Sequence, residues 1–278
     1  MRVGIEVGGT FTDMVAVEGD RIELRKVPST PASPDEGVLH ALQQSEVDAA
    51  RVTDMVHGST VATNALLERK GARVAFVTTA GFRDILFLQR HDRRNIYDLR
   101  YRRPEPVVER VDCFEVSERI DAQGAILKPL DLEEVKEHLL PDLKAGGYDA
   151  VAICLLSSYV NPDHEEALFA LLDEALPDSV ISVSSRVTRE FREFERASTV
   201  TLAGYVQPVI DRYLARLETS LADLGVETRL SIMQSNGGRI PASAMRRNAI
   251  AALFSGPAAG VVGAIRQVGR SGGARRLY

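Results

Sequence analysis

The sequence predicts an α/β protein with parallel strand pairing, and three observations carry that prediction. Strand and helix signals alternate up to about residue 183. Some strand candidates, notably 149–156 (DAVAICLL), run almost without a polar break, as parallel strands covered on both faces do. The opening strand ends in a glycine pair, Gly8-Gly9. The length of 278 residues suits one large domain or two smaller ones. The pattern changes after about 183, so a boundary is expected between about 183 and 198, dividing 1–185 from 198–278.

Taken in order, 2–7 (RVGIEV) reads as a strand, with further strands near 14–18 and 22–27 joined by Gly19-Asp20. The proline-rich stretch 28–34 (PSTPASP) excludes helix and central strand. A helix should start after Ser33, with Pro34 first and Val38, Leu39 and Leu42 on one face. A short strand at 55–57 leads to a helix over 59–70, capped by Ser59 or Thr60 and stopped at Gly71. Residues 73–78 (RVAFVT) form a strand. The Arg-rich segment 89–106 is a loop and 131–145 a charged helix. Asn161-Pro162 opens another helix, with Asp163, Glu165 and Glu166 in its first turn, and 179–183 is a strand. A long helix through 197–223, a strand near 227–233, a type I′ turn at Asn236-Gly237 and helices near 241–247 and 257–268 complete the chain.

The formal charge of −5 gives no basic face for nucleic acid. Arg100, Arg102 and Arg103, and again Arg275 and Arg276, read as solvated loop residues. Cys113 and Cys154 sit in apolar strands and are expected to be buried free thiols, which fits a reducing cytoplasm. The start MRVGIEVGG lacks the features of a signal peptide, and no stretch approaches a membrane span.

Four segments carry chemistry. In Glu6-Val7-Gly8-Gly9-Thr10-Phe11-Thr12-Asp13, bare amides and the hydroxyls of Thr10 and Thr12 suit phosphate oxygens, and Asp13 suits Mg²⁺. A plain Gly-Gly hairpin explains the same residues. The run from His57 to Ala65 crowds hydroxyls at a helix start, where an anion or polarised carbonyl is favoured. Thr60 and Asn64 share a face there, and His57 can exchange a proton near neutral pH. Spacing alone fits an ordinary capped helix better. Gln234 to Gly238 fits a simple turn, and Ser255 to Gly263 fits a closely packed helix start. The five histidines (His40, His57, His91, His138, His164) show no metal spacing.

IEVGGTFTD at 5–13, the block HGSTVATNALLERKGARVAFVTTAGFRD at 57–84, AICLLSSYVNPDHE at 152–165, REFERASTV at 192–200, MQSNGGR at 233–239 and SGPAAGVVGA at 255–264 together resemble the hydantoinase A/5-oxoprolinase family. The resemblance keeps that family's order over nearly the whole chain. It implies an actin-like ATPase fold with ribonuclease-H-like halves: an N-terminal domain over 1–185 and the start of a hydantoinase A domain over 198–278, incomplete at its C-terminus. It implies ATP-dependent ring opening of a cyclic amide such as hydantoin, N-methylhydantoin or 5-oxoproline. Carried over residue by residue, Gly8, Gly9, Thr10, Thr12 and Asp13 would hold ATP, with Asn236 and Gly237 near it. Glu6 and Asp13 would hold Mg²⁺. His57, Thr60 and Asn64 would line the reacting end. A hydantoinase-B-like subunit or a second copy of the chain would be the partner.

Three departures stand out. Glu6 replaces the usual aspartate, which moves the carboxylate by roughly 1.5 Å. Ala203-Gly204 replaces an expected Asn-Ala. The chain ends before the family's second phosphate loop, so a fragment inactive alone is expected. A ketone carboxylase subunit, a sugar-kinase relative and a non-catalytic interaction module are the alternatives.

Overall fold

The computed structural model describes residues 1–93 and 95–270; Arg275 and Arg276 lie outside the described residues. In chain order the strands are β1 (Arg2–Val7), β2 (Phe11–Glu18), β3 (Arg21–Pro28), β4 (Asp54–Ser59), β5 (Val74–Thr79), β6 (Cys113–Val116), β7 (Arg119–Ile120), β8 (Ile126–Lys128), β9 (Ala150–Cys154), β10 (Val180–Val183), β11 (Leu230–Met233) and β12 (Arg239–Pro241). The chain forms two compact units: Met1–Lys70 with the segment from Val209 onward, and Gly71–Pro208. This division differs from the linear one expected near 183–198, because the chain returns to its first sheet late. The helix Glu193–Asp223 carries Pro208 within it, and the division falls there.

The first unit holds a six-stranded mixed sheet in the order β12-β11-β4-β1-β2-β3. β1 pairs antiparallel with β2 and parallel with β4, which puts Glu6 opposite both Asp13 and Gly58. β2 starts at Phe11, earlier than the apolar run suggested. Thr12, Met14 and Ala16 alternate inward from its first residues, the period-2 pattern of a half-buried strand. The helix Pro34–Gln43 covers that face with Val38, Ala41 and Leu42. Gly37 is small because a Cβ there would come 2.7 Å from Thr12 Oγ1.

The second unit is built on a parallel sheet in the order β10-β9-β5-β6. Every residue of β5 and β9 is buried, as their unbroken apolar runs predicted. Val77, Val151 and Ile153 pack against Leu168 and Leu172 of the helix Asp163–Ala175. That helix begins one residue later than expected, with Pro162 at the cap position rather than inside it, and Asn161 Oδ1 accepts from the Asp163 amide at 2.9 Å. The charged helix expected over 131–145 is there, with a π turn at Val135–Leu139 just before Pro141. Proline brings no N–H to an α-helical ladder, so an irregular turn at this point has a local cause. Ala203 is buried. A Cβ on Gly204 would rest at ordinary contact on Ala150 and Val74, so the small pair serves close helix-on-sheet packing. Cys113 and Cys154 are buried free thiols, each pushed up to about 12 mainly by burial.

Among the described residues no helix is long and apolar enough to cross a membrane.

Candidate functional site

The turn between β1 and β2 closes with the Gly8 amide donating to the Phe11 carbonyl at 3.0 Å. That bond uses Gly8 internally. The amides of the exposed Gly9 and Thr10 take no such bond among the described residues. Neither Gly8 nor Gly9 has a positive φ, so glycine serves space here rather than backbone handedness. A Cβ on Gly9 would stand 4.0 Å from Asn64 Nδ2. Ser29, from the proline-rich stretch, braces the turn: its hydroxyl donates to the Gly8 carbonyl at 2.8 Å and its amide to the Thr10 carbonyl at 2.9 Å.

Facing the turn is the start of the helix Val61–Leu67. The Thr60 amide and hydroxyl both donate to the Val7 carbonyl, at 3.1 and 3.2 Å. Asn64 Nδ2 donates to Thr60 Oγ1 at 3.1 Å. Thr60 holds the cap position without a side-chain cap bond, and Ser59 Oγ, one residue earlier, accepts from the Val61 amide at 3.1 Å. Between turn and helix lies a cleft of about 530 Å³, lined among others by Gly8, Gly9, Ser29, Thr30, Thr60 and Asn64. The volume falls in the range of small-molecule sites. Its lining also includes Lys70, Arg212 and Arg216, which sequence reasoning missed. The spacing Val209, Arg212, Tyr213, Arg216 puts four residues on one helical stripe. That signal was present but reads as a charged helix face until its neighbours are known.

His57 does not line the cleft. It is fully buried, with Nδ1 3.2 Å from the Ile5 carbonyl and Nε2 2.7 Å from the Tyr213 hydroxyl. Burial lowers its pKa to about 4, against a smaller opposing effect of the Ile5 bond. The ring is therefore neutral near pH 7. A carbonyl only accepts, so Nδ1 carries the proton and Nε2 accepts from Tyr213. His57 thus ties the cleft-lining Tyr213 to β1. Tyr213→Phe leaves Nε2 buried without a donor and is expected to cost about 1–3 kcal/mol, read as a lower urea midpoint.

Thr12 is also internal, with its hydroxyl 3.1 Å from Ser29 Oγ. It supports the turn from below, whereas Thr10 is exposed at its tip. Asn236 and Gly237 lie in the β11–β12 hairpin and do not line the cleft. Only Gly237 has a positive φ, +80°. The connection is therefore a three-residue loop with a left-handed glycine, since type I′ needs positive φ at both centre positions. Asn236 Oδ1 accepts from the Gly238 amide at 2.8 Å.

Of the two expected cation ligands, Asp13 has both oxygens on Lys26 Nζ, at 2.8 and 2.9 Å. Glu6 is different. Its carboxyl lies against Gly58 and Gly256, where a Cβ would come 1.7 and 2.9 Å from its oxygens. Gly256 sits in the first turn of the helix Ser255–Arg270, so this glycine makes room for a carboxyl as well as for helix packing. Burial first, and Asp13 second, raise the Glu6 pKa to about 7. No group of three or more His, Cys, Asp or Glu residues suited to a metal occurs among the described residues. Mg²⁺ commonly takes one or two carboxylates and completes its shell with water and phosphate, and the half-buried Glu6 fits that part. A cation there would also relieve the cost of its charge.

The sign of the pH effect follows. The Glu6 carboxyl holds its proton more tightly in the folded chain. Its contribution to stability is present below about pH 4.5 and is lost as pH rises through about 7. Compared with Glu6→Gln, the parent chain should lose stability between about pH 5 and pH 8. Parallel denaturation curves that keep a constant gap between the two proteins would contradict this.

Sheet, turn and cleft define an α/β lobe in which a glycine turn with bare main-chain amides stands beside a polar helix start. The family model described as hydantoinase/oxoprolinase N-terminal region matches residues 2–176, and the one described as hydantoinase/oxoprolinase matches 196–274. The chain belongs to this family, and its fold is the one the resemblance implied. It is 34% identical to 5-oxoprolinase 1 of Arabidopsis thaliana, over 95% of this chain and 23% of that protein. It is 30% identical to the acetophenone carboxylase gamma subunit of Aromatoleum aromaticum, over 94% of this chain and 38% of that one. The crystal structure of the ATP-dependent caprolactamase from Pseudomonas jessenii superposes with a TM-score of 0.80 at 32% identity, covering 93% of this chain and 39% of that chain. The chain therefore spans about a quarter to two fifths of the length of these relatives.

Proposed function

We propose that the chain supplies the phosphate-holding lobe of an ATP-dependent enzyme that opens a cyclic amide. One observation carries the reading: among the described residues two amides of one turn, at Gly9 and Thr10, have no internal partner, and Gly9 lines one cleft with Thr60 and Asn64. Unstrained amides are poor electrophiles, and ATP would supply activation by transferring its terminal phosphoryl group to the ring amide oxygen as ADP leaves; water would then add to that carbon, the nitrogen would leave as the amine, and a second water would release phosphate from the acyl phosphate. In this reading the Gly9 and Thr10 amides and the Thr10 hydroxyl hold phosphate oxygens, and Glu6 holds Mg²⁺ directly or through water. Thr60 and Asn64 present hydroxyl and amide groups to the ring. Fixed donors of this kind act without reorganising during the reaction. His57 positions that wall from behind through the cleft-lining Tyr213 and does not itself touch the substrate. The 5-oxoprolinase and caprolactamase relatives support this chemistry at the level of the family.

A second reading, a ketone carboxylase subunit, is favoured by the acetophenone carboxylase relative. That relative is named as a subunit, which supports action beside a second chain of hydantoinase-B type.

Gly9→Val would fill the space toward Asn64 while leaving the sheet unchanged. It should weaken Mg²⁺-ATP binding about tenfold or more, a change of about 1.4 kcal/mol, at constant melting temperature. Calorimetric titration of both proteins tests this, and equal affinities would remove the reading. ADP release with hydantoin, 5-oxoproline, caprolactam or acetophenone in the presence of the partner chain would separate the two chemistries.

A further inference from the structure

The lining of the cleft holds an excess of positive charge. Its charged residues are Glu68, Lys70, Arg212 and Arg216. Glu68 is spent on Lys70, at 2.7 Å. Arg216 lies 3.4 Å from Asp35 Oδ1, and that oxygen, itself buried, has no hydrogen-bond partner among the described residues. Nothing answers Arg212, for which neither a hydrogen bond nor an ion pair occurs among the described residues. The neighbouring acids on its helix are turned elsewhere, Asp211 and Glu218 both to Arg246. Arg212 and Arg216 stand four residues apart on one helix face, an arrangement in which like charges repel. An unpaired arginine four residues from another, both lining a ligand-sized cleft, is an arrangement that an incoming oxyanion would complete.

We infer that Arg212, assisted by Lys70 and Arg216, forms an oxyanion subsite that receives a carboxylate or phosphate group of the bound small molecule. The inference rests on the cleft being the ligand site, as proposed above, but not on the ring-opening step. Two sources share this chemistry. A carboxylate on the ring substrate would reach Arg212 while the ring faces Thr60 and Asn64. Alternatively, a phosphate of the nucleotide extends to it from the glycine turn. The first makes Arg212 a determinant of substrate choice, favouring acidic rings over neutral lactams.

Calorimetry on the intact chain separates the sources. The probes are 5-oxoproline, 2-pyrrolidinone (the same ring without the carboxylate) and inorganic pyrophosphate. The proteins are the parent, Arg212→Gln, Arg212→Lys and, as a charge control, Arg100→Gln in the exposed loop. We expect Arg212→Gln to weaken an anionic probe about tenfold or more, Arg212→Lys to recover part of the loss, and Arg100→Gln to match the parent. Selective loss of 5-oxoproline binding assigns the subsite to a substrate carboxylate. Selective loss of pyrophosphate binding assigns it to the nucleotide. The inference is overturned if both anions bind Arg212→Gln and Arg100→Gln equally, or if neither binds the parent up to about 10 mM. Failure of the broader reading looks different: anion binding would still depend on Arg212, yet no cyclic amide would stimulate ADP release.

Discussion

Replacing Arg196 by methionine should lower the unfolding free energy by about 3–5 kcal/mol. Arg196 and Glu165 are both fully buried. Arg196 Nη2 donates to the Leu155 carbonyl at 2.8 Å, to Ser184 Oγ at 2.7 Å and to Ser158 Oγ. Glu165 accepts from the amides of Leu155 and Ser185, at 2.8 and 2.9 Å, and its Oε1 lies 2.7 Å from the hydroxyls of both Ser158 and Ser184. The guanidinium stands 3.6 Å from the carboxylate. Removing it strands a carboxylate out of water, and the price is desolvation rather than the worth of the pair. Arg196 Nε and Nη1 have no hydrogen-bond partner among the described residues, so the intact pair is not a large net stabiliser. The double replacement Arg196→Met with Glu165→Gln should therefore recover much of the loss. Urea unfolding of the two variants decides the matter: a single variant within about 1 kcal/mol of the parent would show that the charge is compensated in some other way.

Gly71→Ala should destabilise the second unit by about 1–3 kcal/mol, toward the upper end. A Cβ at this position would fall 2.1–2.3 Å from three ring atoms of Tyr205, a buried side chain. Carbon atoms at rest in contact stand about 3.5–4.0 Å apart, so ring or backbone must move by more than an ångström. The adjacent Ala72 amide donates to the Tyr205 carbonyl at 2.9 Å, which resists such a shift. A melting temperature equal to that of the parent would show that the ring turns aside freely.

Gly71 also shows where sequence reasoning stopped. It was expected to end a helix running to residue 70, but the helix ends at Leu67 and the left-handed residue is Arg69, with φ +55°. The glycine is there for a ring that follows more than a hundred positions later. The strands were legible because apolar alternation and unbroken apolar runs are local signals: β1, β5 and β9 lie where those runs place them. The glycine turn, Thr60 and Asn64 were legible for the same reason, each sitting where a strand ends or a helix starts. Contacts made at long range were not. His57 reads as a reactive strand-end residue until Tyr213 is seen to cap its ring. Thr12 reads as a phosphate donor until Gly37 is seen above it. Asp13 reads as a cation ligand until Lys26, on the neighbouring strand, is seen to hold both its oxygens. Arg212 reads as one residue of a charged helix stripe, since its meaning lies in the absence of a counter-charge among the described residues.

The placing of β11 beside β4 sets a schedule for synthesis. β4 ends at Ser59, and its parallel neighbour begins only at Leu230. At ribosomal speeds that interval lasts on the order of ten seconds or more. A nascent chain thus exposes one open border of its first sheet, including the stretch around Met55 and Val56, while the whole of Gly71–Pro208 emerges. Chaperone capture in that window, or an early ribosomal pause that prolongs it, would act on this one seam.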